Sequence, residues 1–158
     1  MNNKKGISAI VATVLIILIT VAAVTIIWAA IIPMISNQLD KGTLCLDAVS
    51  QVVIENQGYT CYNANDGSGN GNASIQVSHG AADFTLSGLQ VLIFEGGSST
   101  SIDVTAGLPG INEESVITAA YNNLTIAGPD RVDIAPIVSV GNAQDTCGVS
   151  STLTLTAC

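Results

Sequence analysis

The sequence predicts an α+β protein in which one long N-terminal hydrophobic α-helix is followed by an antiparallel β-sandwich head, Ig-like or barrel-like. Three observations lead there. No residue from Ile7 to Leu39 is charged, a run longer than the roughly 20 apolar residues needed to cross a bilayer. Beyond Gly42 the chain breaks into short runs of Val, Ile, Leu and Thr bounded by Gly, Asn, Asp and Pro, the pattern of an all-β domain. All four cysteines, Cys45, Cys61, Cys147 and Cys158, fall in that second part, as expected of a domain that folds in an oxidising compartment. The organisation read from this is a leader over residues 1–6, a transmembrane helix over 7–41 and a β-rich domain over 42–158.

The helix is justified by what it lacks. Only Pro33 interrupts its pattern, and Ser8, Thr13, Thr20 and Thr25 can each bond a carbonyl of the preceding turn, so none of their hydroxyls needs water. From Gly6 to Trp28 a helix would rise roughly 33 Å, close to the hydrocarbon thickness. Trp28 then falls at the outer interface, where indole is favoured. Pro33 should loosen the turn that contains Ala29. Gly42, just past Asp40-Lys41, is the expected stop. Lys4 and Lys5 stand before the span and only Lys41, beside Asp40, follows it closely. This asymmetry keeps the N-terminus in the cytoplasm and sends the β domain outside.

Strands are expected over residues 44–55, 59–63, 73–79, 84–95, 101–104, 115–121, 123–127, 131–140 and 149–157. In the last of these, Leu153, Leu155 and Ala157 alternate with Thr152, Thr154 and Thr156, so one face packs and one is solvated. Leu89–Phe94 (LQVLIF) lacks alternation and reads as a central strand covered on both faces. Pro136 argues for an edge or a switch between sheets.

If 149–157 is extended, Cys147 and Cys158 lie roughly 36 Å apart, beyond disulfide reach. Antiparallel matching of the last strand to the first favours Cys45 with Cys158 and Cys61 with Cys147. The alternative, Cys45 with Cys61 and Cys147 with Cys158, stands if a turn interrupts that strand. A metal site is not expected: close Cys-x-x-Cys pairs are missing and the sequence holds one histidine, whereas zinc sites need clustered ligands.

Chemistry-bearing constellations are sparse. Asp66–Asn72 (DGSGNGN) resembles the opening of a calcium loop, but Val77 stands where a bidentate Glu is required, so a hairpin loop is the better reading. His79, followed by Gly80, reads as a solvated turn residue without triad or ligand neighbours. Glu113-Glu114 reads as a solvated pair on a loop, not as opposed catalytic carboxylates. No phosphate-binding loop, nucleophile elbow or metalloprotease helix occurs, so neither catalysis nor a cofactor is expected. Asn72-Ala73-Ser74 and Asn123-Leu124-Thr125 make Asn72 and Asn123 candidate N-glycosylation sites. The formal net charge of -8, with 4 basic and 12 acidic residues, repels phosphate backbones and excludes nucleic acid as a partner.

The stretch KKGISAIVATVLIILITVAAVTIIW, Lys4 to Trp28, resembles the N-terminal motif of archaeal type IV pilins of the adhesive kind. In that family a basic, Gly-ended class III signal precedes a hydrophobic helix that is retained. The resemblance implies that a prepilin peptidase reads Lys4, Lys5 and Gly6 and cuts before Ile7. It further implies a membrane-anchored precursor that becomes a cell-surface filament of identical subunits, assembled by an ATPase and its platform. Val11 occupies the fifth mature position, where bacterial pilins carry Glu, so charge pairing cannot set the assembly register here. An archaellin-like motility filament and a single-pass anchor displaying a β-sandwich binding module remain the alternatives.

Overall fold

The computed structural model describes residues 9–65, 70–122, 128–140 and 143–158. The chain divides into two units, Met1–Asp40 and Lys41–Cys158. Among the described residues, one helix, α1 (Ala9–Gln51), is followed by nine strands: β1 (Val52–Ile54), β2 (Cys61–Asn65), β3 (Asn70–His79), β4 (Leu86–Glu95), β5 (Ser98–Val104), β6 (Glu113–Tyr121), β7 (Arg131–Val140), β8 (Ala143–Thr146) and β9 (Ser151–Thr154).

Helix α1 runs nine residues beyond the stop expected at Gly42, through a segment expected to be strand. A glycine inside a helix costs only about 1 kcal/mol. The gain on the other side is the packing of Leu44, Cys45, Ala48 and Val49 against the core of the second unit. Those four residues follow the 3.6-residue period of a helix face. Leu46, off that face, is 73% exposed. At the helix end, the amide of Gly80 donates to the Gln51 carbonyl at 2.9 Å, satisfying one of the acceptors a helix terminus leaves open. Upstream, the hydroxyls of Thr13, Thr20 and Thr25 donate to the carbonyls of Ile10, Ile17 and Ala22, each at 2.9 Å, as the sequence suggests. Pro33 lies inside the helix without ending it.

The strands form two antiparallel sheets. In the first, β3 is central: β6 pairs along one side of it, while β1 and β2 share the other side end to end. The second repeats this plan, with order β5-β4-β7 and with β8 and β9 sharing the far side of β7. Inward residues recur with the period of two expected of strands: Ala73, Ile75 and Val77 on β3, Ile117 and Ala119 on β6, Leu89, Val91 and Ile93 on β4, and Val132 and Ile134 on β7, all 0–1% exposed. They belong to one continuous hydrophobic cluster, the Val, Leu and Ile side chains each contributing about 1.5–3 kcal/mol by leaving water.

The strand covered on both faces is β7, buried from Val132 to Pro136, whereas β4 alternates between buried and half-buried positions. LQVLIF was therefore credited with a burial that belongs to the neighbouring strand. Pro136 sits in that central strand, at the break between β8 and β9. Its carbonyl accepts from Cys147 at 2.8 Å, and the missing N–H of Pro136 faces the same side of the strand, where neither short strand pairs. Gly96 and Gly97, both at positive φ, make the two-residue turn from β4 to β5 that such hairpins favour.

The final strand is shorter than expected. β9 ends at Thr154, after which the tail leaves β7 and joins the first sheet. Tyr62 donates its amide to the Thr156 carbonyl and Cys158 donates to Tyr62, both at 2.9 Å, forming a parallel bridge between Tyr62 and Ala157. The expected strand over 123–127 lies outside the described residues, and β8 was not anticipated.

Candidate functional site

Two surfaces carry the functional information. The first is the helix itself. From Ile10 to Leu39, every Ile, Leu, Val, Met and Trp is 45–75% exposed, and none of the most apolar 18-residue window is buried. A helix that is apolar on all sides has no face suited to water and requires an apolar surround. The hydroxyls of Thr13, Thr20 and Thr25 are already satisfied within the helix, so none of the three needs a polar partner outside it. By length and composition this helix can cross a membrane.

The second surface belongs to the unit Lys41–Cys158 and is organised by its disulfides. Cys45 is bonded to Cys147 and Cys61 to Cys158. The expected pairing of Cys45 with Cys158 and Cys61 with Cys147 is thus incorrect, as is its alternative. The error follows from the two segments misread above: Cys45 lies on a helix, not on a first strand, and the tail that carries Cys158 runs parallel to β2. Cys147 and Cys158 are not bonded to each other, although the extended strand expected to separate them covers only Ser151–Thr154.

Cys45–Cys147 has an ionic companion. Lys41 Nζ lies 2.9 Å from Asp145 Oδ2. Lys41 and Cys45 are one helical turn apart, about 6 Å of rise, and Asp145 and Cys147 are two strand residues apart, about 6.8 Å. These matched spacings let two rungs tie the last turns of α1 to the β8 end of the second sheet. Sequence reasoning missed this clamp because its signal, Lys41-x3-Cys45 against Asp145-x-Cys147, is legible only once the helix is known to continue.

Among the other candidate residues, Asn72 is exposed on β3, between Asn63 and Ala120. Its position is open to modification, and its partners across both ladders are small. Lys4, Lys5, Gly6, Ile7, Asn123 and residues 66–69 of the glycine-rich loop lie outside the described residues. Glu113 and Glu114 are exposed as expected, but they open β6 and do not lie on a loop. Glu113 accepts from the Gly110 amide at 3.2 Å and Glu114 from Gln76 Nε2 at 2.8 Å.

His79 is the clearest departure. It is 3% exposed, the last residue of β3, flanked by Val52 and Glu113 and in tilted contact with Phe84, ring centroids 4.4 Å apart. Its burial was signalled by parity, since it continues the inward series Ile75, Val77. Tyr121 ends the inward series of β6, and its hydroxyl reaches the Asn63 carbonyl at 3.5 Å. Burial first, then the neighbouring Tyr62 and Glu95, raise its pKa above the ordinary 10.0. Among the described residues no group of three or more His, Cys, Asp or Glu could hold a metal ion.

No protein-family model matches this chain, and no curated protein or solved structure does.

Proposed function

We propose that this chain is the structural subunit of an extracellular filament of the archaeal type IV pilus kind, matured by cleavage after Gly6 and polymerised through its hydrophobic helix, with adhesion as its role. The observation that carries the reading is the all-round apolar helix, set directly behind Lys4-Lys5-Gly6 and ahead of a disulfide-stapled β domain. Such a helix is at ease in lipid. Lifted out, it must hide from water side chains worth about 1.5–3 kcal/mol each, and packing against identical helices does this while leaving the β domains as the outer sheath. Ala9, Ala12, Ala22, Ala23, Ala29 and Ala30 leave room for close helix approach. The polarity set by Lys4 and Lys5 sends the head outside, where its two disulfides persist.

N-terminal sequencing of protein sheared from cells tests the reading. Filaments whose subunits begin at Ile7 are expected, and replacing Gly6 with a bulky residue should leave uncleaved protein in the membrane. A chain that stays with the membrane after shearing, with no fibres released, would replace the filament subunit by an anchored binding module.

A further inference from the structure

The two disulfides differ in what surrounds them. Cys147 is 8% exposed and belongs to the hydrophobic core, and Cys45 packs against that core. Cys61 is half-buried and Cys158 exposed. Thiol–disulfide exchange requires an attacking thiolate to reach a sulfur, and exposed disulfides are the labile ones. A dissolved thiol therefore meets Cys61–Cys158 first.

What that bond holds is equally local. β2 lies at the edge of the first sheet, paired with β3 on one side, and an edge strand presents N–H and C=O groups with which another chain can pair. Residues 156–158 cover this edge at Tyr62, whose amide donates to the Thr156 carbonyl and whose carbonyl accepts from the Cys158 amide, both at 2.9 Å. Just before them, Leu155 is 7% exposed and its amide donates to the Asp130 carbonyl, so the chain is anchored up to that point. Thr156, Ala157 and Cys158 are all exposed. Two hydrogen bonds that water can replace contribute less than the freedom three residues regain on release, which leaves the disulfide to keep them in place.

We propose that Cys61–Cys158 is a redox latch: a dithiol of the kind carried by thiol–disulfide oxidoreductases opens it, residues 156–158 leave Tyr62, and the edge of β2 is uncovered while Cys45–Cys147 keeps the core closed. In the exchange one thiolate of the dithiol attacks Cys158 Sγ, a mixed disulfide forms as the Cys61–Cys158 bond breaks, and the electron pair leaves on Cys61 Sγ, which takes up a proton. The second thiol of the dithiol then loses its proton and attacks the reagent sulfur of the mixed disulfide, closing a cyclic disulfide and expelling Cys158 as a thiol. The protein bond is reduced and the dithiol oxidised by the same two electrons.

The experiment treats full-length protein in detergent with rising amounts of dithiothreitol, quenches with N-ethylmaleimide and maps the labelled cysteines by peptide mass, with amide hydrogen exchange measured on the partly reduced protein. The expected result is a range of dithiothreitol in which Cys61 and Cys158 are labelled and Cys45 and Cys147 are not. Within it the amides of Tyr62 and Cys158 lose protection, that of Ile75 keeps it, and oxidised glutathione restores the first two. Labelling of Cys45 and Cys147 at the same or lower dithiothreitol would overturn the difference in access. Selective labelling with the Tyr62 amide still protected would overturn the latch, because residues 156–158 would then cover the edge without the bond.

Discussion

The helix from Ala9 to Leu39 and the domain from Lys41 onward solve the same problem in opposite ways. The domain supplies its own apolar surround: the inward residues of two sheets cover each other, and Ile75, Val91 and Ile134 are 0% exposed. The helix supplies none and leaves comparable side chains open, so its stability as a folded element depends on what encloses it. The distribution of covalent and ionic links follows this division. Both disulfides and both described ion pairs, Lys41–Asp145 and Arg131–Asp133, lie in the domain, because directional links hold a unique fold together, while a helix that is apolar on all sides needs only an apolar surround. Perturbations should therefore separate cleanly between the two regions.

The largest expected effect is removal of a disulfide. The bonds close loops with sequence separations of 102 and 97, for which the chain-entropy model gives about 4.7 kcal/mol each. Because the loops overlap, deleting one leaves most of the chain constrained by the other. Cys45→Ala with Cys147→Ala, and Cys61→Ala with Cys158→Ala, should each lower domain stability by about 2–5 kcal/mol in denaturant titrations. Hydrogen exchange should tell them apart. The first pair exposes the amides of Leu44 to Val49, the second those around Tyr62, and helical circular dichroism from residues 9–39 persists in both.

A charge in the helix reverses the pattern. Ile19→Lys places an ammonium where the surround must be apolar, at about 2.5–3.5 kcal/mol on the insertion scale. On the proposed filament reading, the expected outcome is loss of sheared filaments and of membrane retention, with the melting temperature of the domain unchanged. Equal yields of fibre from the variant and the parent would mean that this face of the helix stays in water, and the contrast drawn here would fail.

How much of this was readable follows from where the two periodicities compete. The uncharged run from Ile7 and the inward parity of β3 and β6 admit one interpretation each, and both units were legible. Residues 44–49 (LCLDAV) satisfy a period of 2 and a period of 3.6 at once, and tertiary burial of Leu44, Cys45, Ala48 and Val49 decided between them. The disulfide pattern inherited that ambiguity, since it depends on what carries Cys45 and on where the last strand ends. His79 was misplaced for another reason: its neighbour Gly80 suggested a turn, while its parity with Val77 placed it in the core.

A smaller effect, confined to alkaline solution, concerns Tyr121. Its pKa is raised in the folded domain by burial and by the proximity of Tyr62 and Glu95. Below about pH 10, folded and unfolded chains both keep the proton and the pH term vanishes. Above it the unfolded chain loses the proton more readily than the folded one, binds fewer protons, and stability falls as pH rises toward the folded-state pKa. Tyr121→Phe removes this term, so the alkaline decline of the melting temperature should flatten, with little change at pH 7 because the hydroxyl's hydrogen bond among the described residues, to the Asn63 carbonyl, is long at 3.5 Å. An unchanged decline would assign it to other groups.

The smallest expected effect lies at the first residue of the domain. Lys41 and Asp145 are 2.9 Å apart, but their side chains remain 42% and 41% exposed, and exposed pairs contribute about 0–1 kcal/mol. The neighbouring Cys45–Cys147 bond already fixes the same turns of helix covalently, so the ion pair adds little that the disulfide does not supply. Lys41→Met should therefore lower the melting temperature by a few degrees at most, and the difference should vanish in about 1 M salt, where the screening length falls to about 3 Å. In the background of Cys45→Ala with Cys147→Ala the same substitution should cost more, because the ion pair is then the remaining rung between α1 and β8. If the penalty is equal in both backgrounds, the two rungs act independently, and the clamp is two separate contacts and not one device.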